Sequence, residues 1–138
     1  MQKNLSISVV LPAYNEVENI ERTISSSALY LAERGIDYEI IVVNDGSTDG
    51  TDRLVEELAS QNSRIRLINH PQNLGYGSAL RSGFERASLD YIFLMDSDGQ
   101  FDISDLDRFL PHIKEFNAII GYREKRADPI VRSLNAWT

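Results

Sequence analysis

Short runs of β-branched and aliphatic residues alternate along the chain with segments in which apolar positions recur every three or four residues. Residues 6–12 (SISVVLP) and 38–45 (YEIIVVND) read as strands buried on both faces, 64–70 (RIRLINH) as a third strand, 90–96 (DYIFLMD) as a fourth and 117–122 (NAIIGY) as a fifth. Between them, Val17, Ile20, Ile24 and Leu31 share one helical stripe. Leu54, Val55 and Leu58 share a second, Leu80, Phe84 and Ala87 a third, and Leu106, Phe109, Leu110 and Ile113 a fourth. Ser104 with Asp107 has the form of a capping box opening the last helix, and Asp49 with Asp52 suits the start of the second. The alternation is that of a parallel α/β sheet, with no internal repeat and no low-complexity linker.

Right-handed crossovers in such a series predict the strand order 3-2-1-4, with a switch point between the first and fourth strands. Ligands bind these sheets outside the carboxyl ends of the strands, at that point. Three polar clusters fall on that rim: PAYNE (12–16) after the first strand, NDGSTDGT (44–51) after the second and DSDGQ (96–100) after the fourth. Their convergence carries more weight than any one of them.

Composition narrows the partners. At 138 residues, 42% hydrophobic and 25% charged, the chain is expected to form one folded unit with a real core. A net charge of −7 argues against nucleic acid or an anionic membrane as the partner of this segment. There is no cysteine, hence no disulfide, thiolate nucleophile or zinc-thiolate site, which fits a reducing, cytoplasmic setting. No apolar run approaches a membrane span, and the N-terminal run is too short for a signal peptide.

The sharpest chemical signal is three aspartates, Asp96, Asp98 and Asp102, directly after an apolar strand. Carboxylates this close repel one another unless a cation or proton is shared. With an extended backbone, Asp96 and Asp98 point to one side and Gln100 continues the spacing. Two carboxylates and an amide oxygen suit Mg²⁺ or Mn²⁺ with positions left open for water or substrate phosphate. In the bland alternative, they terminate a strand and cap a turn. Asp45, at the end of the second strand, is placed to accept a hydrogen bond from a ribose hydroxyl or base N–H, or else serves the Asp-Gly-Ser turn. Glu16 can reach the same ligand while also complementing a helix N-terminus, and Tyr14 offers an apolar surface to a base or ribose.

Gly75 and Gly77 would let backbone approach a ligand, whereas Gly83 would permit close packing of a helix on the sheet. Arg123, Lys125, Arg126 and Arg132 form either a solvated face or a pairing surface for phosphate. His70 and His112 lack metal-ligand partners at useful spacing and read as structural or exposed. Neither a P-loop nor a dinucleotide fingerprint is present. Residues 45–56 match the spacing of an EF-hand loop, but a strand precedes them where a helix is required. DSDG also matches the nucleophile loop of haloacid-dehalogenase-type phosphatases, which belongs on a first strand.

Taken in order and at their separations, VVLPAYNE, EIIVVNDGSTDGT, NLGYGSALRSG and MDSDGQFD resemble the nucleotide-sugar-binding half of the family-two inverting glycosyltransferases. DSDGQ followed by IIGYREKR is most similar to the polyprenyl-phosphate, or dolichol-phosphate mannosyltransferase, type. The resemblance implies a GT-A fold, a Rossmann-like three-layer sandwich with a mostly parallel sheet, and a UDP- or GDP-linked sugar donor. It implies that Pro12, Ala13, Tyr14, Glu16, Asp45 and Gly75 hold the donor. Asp96 and Asp98 would then be catalytic, standing with Gln100 around a divalent ion and the diphosphate, and Arg123, less closely Arg132, would lie near the phosphates. Tyr76 stands where many relatives carry lysine, and Phe101-Asp102-Ile103 replaces a proline-containing stretch.

The implied reaction is single displacement with inversion onto a polyprenyl phosphate. Residues 1–138 are then the donor-binding part of a longer protein at the cytoplasmic face of a membrane, with the acceptor side and membrane contact supplied elsewhere. A phosphatase using Asp96, or a nucleotide-binding module without turnover, are the alternatives.

Overall fold

The computed structural model describes residues 4–121. Arg123, Lys125, Arg126 and Arg132, and the last residue of the expected fifth strand, lie outside them. The chain divides into two compact units, one running to Asp105 and the other starting at Leu106.

The first unit is a four-stranded, wholly parallel sheet in the order β3-β2-β1-β4, as the crossover argument requires. Its strands are β1 (Ser6–Ala13), β2 (Asp37–Asp45), β3 (Ile65–His70) and β4 (Tyr91–Leu94). They alternate with helices α1 (Ile20–Glu33), α2 (Thr51–Gln61) and α3 (Tyr76–Arg86). From β1 to β3 the chain steps one way across the sheet, so right-handed crossovers put α1 and α2 on one face; the return from β3 to β4 puts α3 on the other. Every residue of β1, and every residue of β2 after Asp37, is buried, which is why both read as continuous apolar runs.

On the α3 face the core is Ile41, Val43 and Ala79. Gly83 is the contact that brings α3 close, since a Cβ there would lie 2.4 Å from Val10 Cγ1 and 3.3 Å from Val43 Cγ2. The close-packing role expected of Gly83 therefore holds. The expected stripe of Leu80 and Phe84 is displaced by the same cause: the helix sits so near the sheet that small residues, Ala79 and Gly83, fill the contact, and Phe84 is exposed. In α1 the buried face is Ile20, Thr23, Ile24, Ser27, Tyr30 and Leu31, while Val17 precedes the helix. β4 is less enclosed, with Ile92 47% and Leu94 36% exposed.

In the second unit the expected long helix is absent. Leu106–Phe109 form a single α-turn, α4, followed by a 3₁₀ turn at Leu110–His112. Pro111 explains the break, because it lacks the N–H that a continuing helix needs and its ring clashes with the preceding turn. The capping falls to Asp102 instead of Ser104: its carboxylate accepts the Ser104 N–H at 2.9 Å. Residues 117–121 form no strand, so the expected fifth strand is not found over the described part of its range. Among the described residues, no helix is long and apolar enough to cross a membrane.

Candidate active site

The loops leaving β1 and β2 are stitched together before either can meet a ligand. Asn15 adopts a left-handed backbone, φ +52°, which asparagine tolerates better than most residues. Its side-chain oxygen accepts the Thr48 N–H at 2.8 Å, and its own N–H donates to Ser47 Oγ at 2.9 Å. The N–H groups of Glu16 and Val17 donate to Thr51 Oγ1 and Asp49 Oδ2, both at 3.1 Å. Asp49 also accepts the Thr51 N–H at 3.0 Å, supporting the start of α2. Burial works against its charge, but these bonds outweigh burial and hold the carboxyl below its ordinary value. Asp49 is thus committed to the loops, and β2 leads into them, which removes the EF-hand reading.

Asp45 ends β2 and is buried. Its register partner on β3 is His70, whose Nδ1 lies 2.8 Å from Asp45 Oδ1. The Leu74 N–H donates to Oδ1 at 2.9 Å and the Gly75 N–H to Oδ2 at 3.0 Å. Burial raises the carboxyl's pKa, yet the bonds from His70, Leu74 and Gly75 prevail and the net shift is downward. Gly46 permits this docking: its φ is +75°, and a Cβ there would sit 2.4 Å from the Asn73 nitrogen.

After β4 the chain bends. Ser97 is buried and donates its hydroxyl to the Pro12 carbonyl at 2.7 Å, tying the acidic loop to the end of β1. Gly99 turns at φ +81°, and the Gln100 N–H donates back to Asp98 Oδ1 at 3.0 Å. Tyr76, at the start of α3, reaches across and donates its phenol to Asp96 Oδ1 at 3.0 Å. Partial burial, followed by the neighbouring Asp96 and Asp98 charges, pushes that phenol up to about 12, so it remains a proton donor.

These ends surround a cavity of about 360 Å³. Pro12, Ala13, Tyr14 and Ala79 give it apolar walls, and Asn73, Tyr76 and Ser97 line it beside four acids, Glu16, Asp45, Asp96 and Asp98. Among the described residues, no lysine, arginine or histidine lines it. Burial raises the pKa of Glu16, and the Asp98, Asp49 and Asp96 charges add to it, while a hydrogen bond from Asn19 opposes it. A surplus of negative charge around a partly apolar hollow fits a hard cation. Among the described residues, no three acidic or imidazole side chains gather closely enough to hold a metal ion by themselves.

The structure therefore brings Pro12, Ala13, Tyr14, Glu16, Asp45, Asp96 and Asp98 to one cavity. Gln100 is exposed and outside its lining, because the bend at Gly99 ends the extended alternation. Gly75 is also outside the lining, its N–H turned to Asp45. Arg123 lies beyond the described residues.

The model of the glycosyl transferase family 2 matches residues 8–135. The chain belongs to that family. This family 2 chain is 36% identical over 115 residues to the dolichyl-phosphate beta-glucosyltransferase ALG5C of Trichomonas vaginalis, a match covering 80% of the chain and 34% of that relative. It spans 20–39% of the length of the curated relatives it matches first. Among solved structures, Staphylococcus aureus TarS 1–349 superposes with a TM-score of 0.67 at 24% identity, over 91% of this chain and 38% of that one. The mannosyltransferase PcManGT of Pyrobaculum calidifontis, solved with GDP-Man and Mn²⁺, gives 0.59 at 24% identity, over 70% and 28%. At these identities the two structures establish the GT-A fold and nothing finer.

Sequence reasoning missed Asn73 and Ser97 in the wall of this family 2 cavity, noted Tyr76 only as standing where many relatives carry lysine, and read His70 as structural or exposed without its bond to Asp45. For His70 a signal existed. Parallel strands ending in Asn44-Asp45 and Asn69-His70 stand side by side, and Asn44 Nδ2 bonds Asn69 Oδ1 at 2.9 Å one step before the Asp45–His70 pair.

Proposed function

We propose that residues 1–138 are the nucleotide-sugar-binding part of an inverting glycosyltransferase that uses Mg²⁺ or Mn²⁺ and delivers its sugar to a polyprenyl phosphate. The observation carrying this reading is the cavity between the ends of β1 and β4, lined among the described residues by four acids and no basic side chain. A diphosphate would be repelled there without a cation, whereas a nucleoside and a bridging divalent ion together satisfy both its apolar and its acidic walls. The kinship with a dolichyl-phosphate beta-glucosyltransferase supports a lipid-phosphate acceptor. Acceptor recognition and membrane contact then belong to other parts of the protein.

In this mechanism Pro12, Ala13 and Tyr14 pack against the nucleoside, and Asp45 accepts a hydrogen bond from its base or ribose. Asp96 and Asp98 would hold the divalent ion, which when bound would supply Lewis-acid neutralisation of the diphosphate. The family resemblance gives Arg123, and by a weaker match Arg132, the role of pairing with the phosphates; both lie outside the described residues. A phosphate oxygen of the acceptor attacks the anomeric carbon from the face opposite the diphosphate. The carbon–oxygen bond to the diphosphate breaks, the electron pair leaves with the nucleoside diphosphate, and the configuration inverts. A phosphate is already anionic near neutral pH, so no strong general base is needed.

Calorimetric titration with UDP and with GDP tests this, each with Mn²⁺ or Mg²⁺ and again with EDTA, on the wild type and Asp98→Ala. Metal-dependent binding of one nucleotide, lost in the variant, is the expected result. Binding of neither by the folded chain overturns it.

A further inference from the structure

Behind Asp45 lies a buried chain of polar groups that the proposed mechanism does not use. His70 Nδ1 lies 2.8 Å from Asp45 Oδ1, and His70 Nε2 lies 2.8 Å from Ser82 Oγ on α3. The side chains of His70 and Asp45 are 8% and 6% exposed. A carboxylate can only accept, so Nδ1 carries the proton towards Asp45, and Nε2 shares a hydrogen bond with the Ser82 hydroxyl. The order Ser82–His70–Asp45 is that of a nucleophilic triad, but neither Ser82 nor His70 lines the cavity, and a substrate there meets Asp45 first.

The consequence lies in acceptor counting. An ionised carboxylate has about four lone-pair positions. On Asp45 two at Oδ1 are taken by His70 and Leu74, and one at Oδ2 by Gly75. By this count one position remains, on Oδ2, and Asp45 lines the cavity. The carboxylate is held at three points, so it cannot rotate to follow a poorly placed donor, and preorganisation of this kind favours a ligand N–H or O–H that arrives at one place.

We propose that His70, itself steadied by Ser82, is a positioning residue for nucleoside recognition: it fixes Asp45 so that a single acceptor position is offered to the donor's base or ribose. The proposal rests on the reading that this cavity takes a nucleoside diphosphate. His70 acts on the nucleoside end alone, because the diphosphate end is handled by Asp96 and Asp98 on the other side of the cavity.

The test compares affinities for UDP, GDP and inorganic pyrophosphate, each with Mn²⁺, in the wild-type chain and in His70→Leu, His70→Asn and Ser82→Ala. His70→Leu removes both bonds. It is expected to weaken the preferred nucleotide about tenfold while leaving pyrophosphate within about twofold. His70→Asn keeps a donor near the Nδ1 position and is expected to restore most of that affinity. Ser82→Ala leaves the Asp45 bond intact and is expected to weaken the nucleotide about threefold, again sparing pyrophosphate. Should His70→Leu fail to fold, Ser82→Ala and His70→Asn carry the comparison. Equal losses for nucleotide and pyrophosphate, or unchanged nucleotide affinity in folded variants, overturn the positioning role while wild-type binding keeps the donor site. Absence of nucleotide binding by the wild type overturns the donor site and this role with it.

Discussion

Asp45 at the end of β2 and Asp96 just beyond β4 share one cavity and are built in opposite ways. Asp45 is buried, accepts three hydrogen bonds from the protein and is held below the ordinary carboxylate pKa. Asp96 has one hydrogen bond among the described residues, from a tyrosine that is itself 56% exposed, and its neighbour Asp98 accepts the Gln100 N–H. The first carboxylate is finished before a ligand arrives. The second is left for the ligand to complete, and Glu16, which lines the same cavity, is raised first by its own burial and then by the Asp98, Asp49 and Asp96 charges. A site for a nucleoside diphosphate needs both: a fixed acceptor for neutral donors, and loosely held charge for a cation that comes with the phosphates.

The contrast is broken most sharply at the acidic end. Asp98→Ala is expected to abolish metal-dependent nucleotide binding, a loss of more than about 100-fold by calorimetry, while changing the unfolding midpoint little, because the side chain supports one exposed turn. Asp45→Ala is expected to do the reverse first. It strands His70 and two N–H groups, and is predicted to destabilise the chain by about 2–3 kcal/mol in urea unfolding, before any effect on binding is counted.

A smaller effect separates the two ends by pH. A group whose folded pKa is depressed contributes fully above its unfolded value, about 3.9 for aspartate, and that contribution is lost as pH falls through the folded value. Wild-type stability is therefore expected to drop below about pH 4 as Asp45 protonates, with Glu39 and Asp49 adding to the same slope. Asp45→Asn, less stable at pH 7, is expected to show a shallower acid limb in urea unfolding followed from pH 6 to 3; an unchanged limb would remove Asp45 from that account. Smallest of all, Tyr76→Phe frees Asp96 from its one donor among the described residues and is expected to raise metal-dependent nucleotide affinity about twofold.

Strand order and rim were legible because both follow from chain direction: four apolar runs, right-handed connections and polar clusters after three of the runs leave little freedom. The acids at 45, 96 and 98 were legible for the same reason. What escaped depends on distances that no local pattern encodes. Leu80 and Phe84 look like the core of α3 by hydrophobicity, yet Gly83 sets the helix so close to Val10 that only small residues fit. Residues 117–121 have a strand's composition, but a strand also needs a neighbour to pair with. Pro111 was a readable stop within the last apolar stripe. Gln100 followed from an extended backbone that Gly99 ends. His70 was passed over because it was weighed as a metal ligand and not as a neighbour of Asp45 across two strands.

The pairing of β1 with β4 also has a consequence in time. Ser6 bonds Asp90 at 3.0 Å across a sequence separation of 84, and Ile7 pairs with Tyr91 beside it. Contacts this far apart close a long loop and form late, after the nearer β1–β2 and β2–β3 pairs. Until they form, the acidic loop and the end of β1 have no common wall. A ligand of the proposed donor site would therefore meet that site only on the native side of the folding barrier, and is expected to slow unfolding and leave the refolding rate where it was.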